Sequence, residues 1–211
     1  NTAIGYSSLT ANINGIDNVA VCKNAMSANT AGSSIVAVGK EALFSNSTGG
    51  FNVAVGDSSL KINTLGSYNV AVGQAALSNN VGDATNGNQN VAVGHQAAYS
   101  LNGENNNTAL GHNAFYTGGG SNNTALGHSA MYKSAGGDNN DNIAIGYKAM
   151  EGVNSGYAFS DENVALGNNA MGSLEYNFSD YNTAVGSKSL SVLKGKNGAS
   201  CSPNTDSCGT G

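Results

Sequence analysis

Short apolar segments recur along the chain, separated by longer connections rich in Asn, Ser, Thr and Gly. The pentapeptide N-[TVI]-A-[IVL]-G, counting two variant copies, occurs eleven times, and each copy continues as x-x-[AS]-[LMFA]. The copies start at Asn1, Asn18, Ile35, Asn52, Asn69, Asn90, Asn107, Asn123, Asn142, Asn163 and Asn182. Their successive spacings are 17, 17, 17, 17, 21, 17, 16, 19, 21 and 19 residues. Self-similarity of this kind predicts a repeat architecture in which equivalent residues stack. We number the Asn as position 1 of each repeat, so that the Gly is position 5.

The repeat unit has the size of a β-solenoid coil. Triplets such as Val53-Ala54-Val55 are apolar without alternation, which is typical of a strand buried on both faces. About 17 residues suit two short strands and two turns, whereas a strand-helix-strand crossover needs about 30 residues and helical repeats about 33 to 45. We therefore predict an all-β fold, a parallel β-solenoid over residues 1–193 with eleven coils of 17 to 21 residues.

Stacked coils predict ladders of identical side chains at a spacing of about 4.8 Å. We expect the position 1 asparagines to hydrogen-bond to one another through their amides, as stacked strands of fibrous assemblies do. The glycines at position 5 permit a tight turn or a left-handed backbone conformation. The residues that we assign to this structural role are Asn52, Asn69, Asn90, Gly56, Gly73 and Gly94.

The strand pattern predicts self-association. Positions 2 and 4 point to one face of the strand, and the Ala at position 3 points to the other, together with the following Ala-Leu pair. One narrow coil has one interior, so the second face would form an apolar stripe along the whole rod. Monomers rarely expose a stripe of that size, and cyclic association of identical chains would cover it.

Composition excludes several classes of function. Only 10% of residues are charged and the net charge is −5 without a basic run, which argues against a nucleic-acid partner. No apolar stretch approaches the roughly 18 residues of a membrane span, so we expect no direct membrane insertion of this segment.

No catalytic or cofactor motif is present, and we predict neither an enzyme nor a bound cofactor. A glycan-cleaving site formed by Asp161 and Glu175 is the catalytic alternative. Because the chain opens inside a repeat, we expect it to be a piece of a longer protein.

The last residues, 194–211, form a Gly-, Ser- and Cys-rich tail. Cys201 and Cys208 are close enough in sequence to form a local disulfide, which would imply an oxidising, extracellular setting. The alternative is two free thiols. Cys22 replaces the Gly of its repeat, and we expect it to be inert.

Candidate ligand-binding residues lie in the longest connections. The larger spacings predict loops at 78–89, 132–141, 151–162 and 172–181, and insertions in solenoids often form the binding face. The last two loops combine aromatic rings with carboxylates, which suits glycans or protein edges. Their candidate residues are Tyr157, Phe159, Asp161, Glu175, Tyr176, Phe178 and Tyr181. The alternative is that these aromatic side chains only pack along the side of the roll.

Three histidines follow the Gly in consecutive repeats: His95, His112 and His128. A column of imidazoles about 4.8 Å apart could bind a metal ion or respond to pH near neutrality. The alternative is a solvent-facing position that varies freely, since other repeats carry Lys, Asp, Gln or Tyr there.

The motifs NVAVG-x-x-A-L, NTAIG-x-x-S-L and NIAIG-x-x-A-M resemble the NSVAIG-type head repeats of trimeric autotransporter adhesins. They are equally similar to the NTAIG-x-x-A-L repeats of bacteriophage and large-virus tail-fibre proteins. The resemblance covers residues 1 to about 193 and implies a left-handed parallel β-roll, a homotrimer, and a location on the surface of a cell or virion. It implies binding to a host or cell-surface glycan or protein, or to matrix. The period is mostly 17 or longer, where adhesin heads have about 14. The longer period favours the fibre-like variants, and no ligand specificity is carried over from the adhesin heads.

These observations predict a structural and adhesive segment of an extracellular trimeric fibre, which displays its loops for binding. The alternatives are a receptor-binding or shaft segment of a phage or virus tail fibre, a passive spacer, and an ice-binding solenoid. Ice binding would need a regular outward array of Thr. We expect the threonines at position 2 to be buried instead: Thr2, Thr108, Thr124 and Thr183.

Overall fold

The computed structural model describes residues 1–81, 87–101, 103–134, 139–152, 161–172 and 181–191. This part of the chain contains no helix, and its strands are two or three residues long. One parallel sheet contains eleven of them: β1 Thr2–Ile4, β2 Val19–Val21, β3 Val36–Val38, β4 Val53–Val55, β5 Val70–Val72, β6 Val91–Val93, β7 Thr108–Leu110, β9 Thr124–Leu126, β11 Ile143–Ile145, β12 Val164–Leu166 and β13 Thr183–Val185. A second parallel sheet consists of β8 Thr117–Gly118 and β10 Lys133–Ser134.

The main sheet follows the order of the repeats along the chain. Each strand pairs with the equivalent strand of the next coil in the register of the pentapeptide, so that Ala54 lies opposite Ala71. The same register holds across the 21-residue spacing, where Ala71 lies opposite Ala92. The prediction of a parallel β-solenoid is confirmed, and longer connections are accommodated without a shift between coils.

The interior is lined by small and aliphatic side chains from two segments of each coil. From the second repeat onward the position 3 alanines are buried, and Ala54, Ala71 and Ala92 are fully so. The side chains at position 9 complete the core, among them Leu60 and Phe115. The predicted division of the strand into an inward Ala and outward positions 2 and 4 is correct.

The segment after the Gly is a turn, one of the two conformations, short extended piece or turn, that the sequence allows there. Ser58 and Leu60, at positions 7 and 9, have φ angles of 59° and 47°, and the equivalent residues of the other coils are also in the left-handed region. This backbone bends the chain around a narrow core. Ladder hydrogen bonds compensate for the strain, since the N–H of Leu60 donates to the carbonyl of Ala76 in the next coil at 3.0 Å.

Candidate functional surfaces

The outer face of the main sheet consists of the side chains at positions 2 and 4, none of which is buried. Eighteen of these 22 positions carry Val, Ile or Leu, and the other four carry Thr. Exposure reaches 43% at Leu110 in the middle of the rod and 70% at Val185. The single chain therefore presents a continuous apolar stripe, as the alternation of the strand predicts.

The position 2 threonines belong to this outer face, so the expectation that they are buried is wrong for the single chain. Thr2, Thr108 and Thr183 are exposed, and Thr124 is partly exposed. The reason is the strand's period of two, which places position 2 on the face opposite the buried Ala at position 3. The threonines do not form a continuous row, because Val or Ile occupies position 2 in the other coils.

Two columns of exposed side chains border the outer face. The leading column is the residue before position 1: Asp17, Ser34, Phe51, Tyr68, Gln89, Asn106, Asn122, Asp141, Glu162 and Tyr181. The trailing column is position 6: Tyr6, Lys23, Lys40, Asp57, Gln74, His95, His112, His128, Tyr147, Asn168 and Ser187. The leading column contains carboxylates and no basic residue, whereas the trailing column contains two lysines, three histidines and one carboxylate. The two edges of the apolar face therefore differ in charge.

The three histidines stack as their register predicts. The ring centroids are 5.1 Å apart between His95 and His112 and 4.8 Å apart between His112 and His128, with interplanar angles of 10° and 25°. Tyr147 continues the column at 5.4 Å from His128. Partial desolvation and the two neighbouring imidazoles lower the pKa of His112 below its ordinary value.

Stacking disfavours a metal ion shared between neighbouring histidines. The lone pair of an imidazole nitrogen lies in the ring plane, and near-parallel rings about 5 Å apart do not direct two lone pairs to one point about 2.0–2.1 Å from each nitrogen. Among the residues that the structure describes, no group of three His, Cys, Asp or Glu side chains is placed to hold a metal ion.

Further aromatic side chains stack along the rod. Tyr99, Tyr116 and Tyr132, at position 10, form a second column with centroid separations of 5.1 Å. Desolvation and the flanking tyrosines raise the pKa of Tyr116. Phe51 and Tyr68 stack at 4.9 Å and 3° in the leading column, beside the outer face. The pentapeptide and the residues after it give no signal for the Phe51–Tyr68 pair, because both rings precede position 1 of their repeats.

The position 1 asparagines join consecutive coils, but mainly through the backbone. The Oδ1 of Asn52 accepts from the backbone N–H of Asn69 at 2.9 Å, and its Nδ2 donates to the carbonyl of Gly66 at 2.8 Å. Asn69 and Asn90 repeat this pattern. Direct bonds between amides are confined to the later coils, for example from Asn182 to Asn163 at 2.9 Å. The expected amide-to-amide ladder is therefore only partly correct, because in the earlier coils Nδ2 donates to a backbone carbonyl instead of to the next amide.

The position 5 glycines stand where backbones of consecutive coils approach most closely. Gly56, Gly73 and Gly94 have φ angles of 135°, 130° and 138°, which L side chains rarely adopt. A Cβ on Gly56 would lie 2.5 Å from the carbonyl oxygen of Gly73. Both observations explain why the repeat keeps Gly at this position.

A second ladder, at position 12, was not predicted from the sequence. It consists of Asn12, Asn29, Asn46, Asn63 and Asn80. Here the amides do bond to one another, with Nδ2 to Oδ1 distances of 2.9, 2.8 and 3.2 Å over the first four members. Each Nδ2 in the ladder also donates to a backbone carbonyl three or more residues later. The ladder ends because the next coil has the buried Leu101 in its place.

Only two of the candidate loop residues lie within the described residues. Asp161 accepts a hydrogen bond from the backbone N–H of Asn140 through Oδ1 at 2.6 Å, so part of its role is to join coils. Tyr181 is 69% exposed at the leading edge. Tyr157, Phe159, Glu175, Tyr176 and Phe178 lie outside the described residues, as do Cys201 and Cys208.

The described residues that flank the four insertions occupy similar positions in their repeats. They end at Val81, Ser134, Gly152 and Gly172, at positions 10 to 13, and resume one to three residues before the next position 1. The strands that follow remain in register.

Cys22 is an exposed, free thiol. In the described residues we find no helix long and apolar enough to cross a membrane. Comparisons of this chain with protein-family models, with curated proteins and with solved structures give no match. The functional interpretation therefore rests on the residues and their geometry.

Proposed function

We propose that this chain is a structural and adhesive segment of an extracellular fibre on a cell or virion surface, in which three copies form a left-handed β-roll trimer. The observation that carries the proposal is the continuous apolar outer face. A shaft or receptor-binding segment of a tail fibre would use the same face in the same way. The resemblance of the repeats supports the number three and the hand of the coil.

The size of the outer face suits a stable interface. Eleven strands about 4.8 Å apart span roughly 48 Å, and the seven residues from leading to trailing column, six steps of about 3.3 Å, span about 20 Å. The product, about 1,000 Å² per chain, is comparable to the roughly 800 Å² that each partner contributes to a standard interface. A face of this area, lined by Val, Ile and Leu, favours association of identical rods.

The proposed mechanism of adhesion is display. Ladders hold the coils at fixed spacing, and the described residues that precede each insertion, at positions 10 to 13, lie outside the strand that forms the outer face. Several weak contacts per rod, multiplied by three chains, would produce avidity without a deep pocket. The expected partner is a host or cell-surface glycan or protein.

Sedimentation velocity tests the assembly. We expect a trimer for the unchanged chain and a folded monomer for the double variant Val55→Lys, Leu110→Lys, which places two charges on the outer face. Thr48→Lys, an exposed residue away from that face, is the control and should remain trimeric. A wild-type chain that is monomeric at micromolar concentration contradicts the proposal.

Loop replacement separates adhesion from a spacer role. Residues 153–160 are replaced by Asn-Ile-Asn-Gly from 12–15, and residues 173–180 by Ala-Asn-Ile-Asn-Gly-Ile from 11–16, so that both coils have the ordinary length of 17 residues. Adhesion predicts loss of binding to cells or immobilised glycans while the trimer persists, whereas unchanged binding supports the spacer. Ice binding makes a different prediction. If the outer face of the monomer binds ice, the protein should show thermal hysteresis, and Thr108→Lys should abolish it.

A further inference from the structure

We propose that the His95–His112–His128 column is a pH-dependent latch on the seam between neighbouring copies, closed when the imidazoles are neutral and opened by their protonation. This inference rests on the self-association proposed above and adds a regulation to it. It concerns an edge of the outer face and not the apolar stripe itself.

Cyclic symmetry decides what the histidine column meets. When the same face of each chain repeats around an axis, the contact is heterologous, and one edge of a chain lies against the opposite edge of the next. The leading column of one copy then faces the trailing column of its neighbour at the same height. Near the first coils this arrangement brings Asp17 opposite the side of the seam that carries Lys23 and Lys40, and the charges are complementary.

At the height of the histidines the leading column of the facing edge carries no anion. The carboxylate nearest to it in sequence, Glu104, is partly buried and accepts a hydrogen bond from the Ser121 hydroxyl at 3.3 Å. The leading column of these three coils carries Gln89, Asn106 and Asn122, all of which are exposed. The Nδ2 of Asn106 donates to Oδ1 of Asn122 at 3.1 Å, so these amides already form a ladder at the edge. An amide edge accommodates a neutral imidazole by hydrogen bonding, but it does not neutralise three added positive charges.

The residues packed around the column within the chain provide no compensating charge either. Position 4 beside it carries Val93, Leu110 and Leu126, and position 7 carries Gln96, Asn113 and Ser129. The column is continued by the neutral Gln74 on one side and by Tyr147 on the other.

The charged groups that lie beyond either end of the histidine column are too far away or already paired, so they do not stabilise protonated histidines. Lys148 has its Nζ 5.6 Å from the ring of Tyr147 and pairs with Glu151 at 2.8 Å. The one carboxylate of the trailing column, Asp57, is two coils from His95, about 10 Å at ~4.8 Å per coil. In the leading column of the facing edge the first carboxylate after the amides is Asp141, one coil beyond His128.

Stacking raises the free-energy cost of charging the whole column. Imidazoles whose centroids are 4.8 and 5.1 Å apart repel one another once more than one of them is charged. In a trimer each of the three seams would contain one such column, so a small change in pH would act on nine imidazoles. Removing these charges from water at a closed seam adds a desolvation penalty, and opening the seam relieves it.

Sedimentation velocity at about pH 8 and about pH 5, either side of the ~6.5 reference pKa of imidazole, tests the latch. We expect the unchanged chain to be assembled at the higher pH and its association to weaken at least about tenfold at the lower pH. The triple variant His95→Gln, His112→Gln, His128→Gln should remain assembled at both, because Gln already occupies the column at Gln74. Gln74→His extends the column to four rings and should raise the pH of dissociation.

Each result separates the latch from the assembly. An unchanged chain that is monomeric at both pH values overturns the proposed self-association and the latch with it. Assembly that persists at about pH 5 overturns the latch alone, as does equal dissociation of the triple glutamine variant. Circular dichroism accompanies each sample, and loss of the β signal at the lower pH would assign the effect to unfolding and also overturn the latch.

Discussion

The ring of Phe115 occupies the space that a side chain on Gly118 would need, so that a Cβ built on Gly118 overlaps the ring at Cε2 and lies 2.7 Å from Cδ2. In the first five coils the position of Gly118 holds Asn, and the position of Phe115 holds Leu or Met. The larger ring has therefore replaced both an aliphatic side chain and a ladder amide.

The two residues should behave as a coupled pair. Gly118→Ala is expected to destabilise the solenoid by about 1–3 kcal/mol because it overpacks a buried site. Phe115→Leu frees the space, so the double variant should lose less stability than the two single variants together. Urea unfolding of the four proteins gives the coupling free energy, and strict additivity would refute the pairing.

Adjacent glycines offer a matched test of close backbone contact. A Cβ on Gly49 would overlap the carbonyl oxygen of Gly66 and lie 2.7 Å from Oδ1 of Asn46, whereas a Cβ on Gly50 meets Ser33 O at 3.1 Å. We expect Gly49→Ala to cost at least about 2 kcal/mol and Gly50→Ala less than about 1 kcal/mol. Thermal unfolding of both variants checks this, and equal melting temperatures would contradict it.

The strands were predictable because position 3 carries a small apolar residue in every copy while positions 2 and 4 are β-branched or aliphatic. That pattern places Ala54 inside and Val53 and Val55 outside without further information. The parallel register follows from stacking equivalent residues. By contrast, the left-handed conformation of Ser58 and Leu60 has no signal in the sequence, because neither residue is Gly or Asn.

The histidine column was predictable from spacing alone, since three copies place the same residue after the Gly. The Asn46 ladder was equally regular, but its position 12 lies outside the pentapeptide and the x-x-[AS]-[LMFA] segment by which the repeats are recognised. The Phe115–Gly118 contact depends on two simultaneous departures from the repeat, whose spatial relationship only the folded backbone reveals. Tertiary packing of this kind is not readable from periodicity.

Asparagines inside the second ladder should be far less replaceable than the one at its end. Asn46 donates to Oδ1 of Asn29 at 2.8 Å and to the carbonyl of Gly49 at 2.9 Å, and it accepts from Asn63 at 3.2 Å. Asn80 donates once, to Gly87 at 3.1 Å, and its buried Oδ1 has no partner among the described residues.

The expected result follows from the number of bonds lost. Asn46→Leu removes three hydrogen bonds and leaves buried partners unpaired, for a loss of about 2–4 kcal/mol. Asn80→Leu should lose about 1 kcal/mol or less, since the next coil already buries Leu101 at this position. Chemical denaturation of both variants measures the difference, and a larger loss for Asn80→Leu would contradict the ladder.

Cys22 adopts a backbone conformation that suits Gly better. Its φ is 97°, at a position where the other coils have Gly with φ between 120° and 141°. Because the thiol is exposed, Cys22→Gly sacrifices little packing and should stabilise the protein by about 1 kcal/mol. Cys22→Ala retains the Cβ and should bring no such gain. Melting under reducing conditions distinguishes them, and equal stabilisation by both would exclude backbone strain as the cause.

The lowered pKa of His112 predicts that the fold itself becomes less stable in mild acid. Since partial desolvation and two neighbouring imidazoles lower this pKa in the folded chain, the unfolded chain binds more protons as the pH falls below about 6.5. The stabilising contribution is complete above that value and is lost as the pH falls through the folded-state pKa. In a background that carries two outer-face charges far from the column, Val38→Lys and Val55→Lys, melting temperature should therefore fall less steeply with acidification after His112→Gln. Ser187→Gln, in the same column without an ionisable neighbour in the stack, should leave the slope unchanged. Identical slopes for the two substitutions would show that the stacked imidazoles do not couple within one chain.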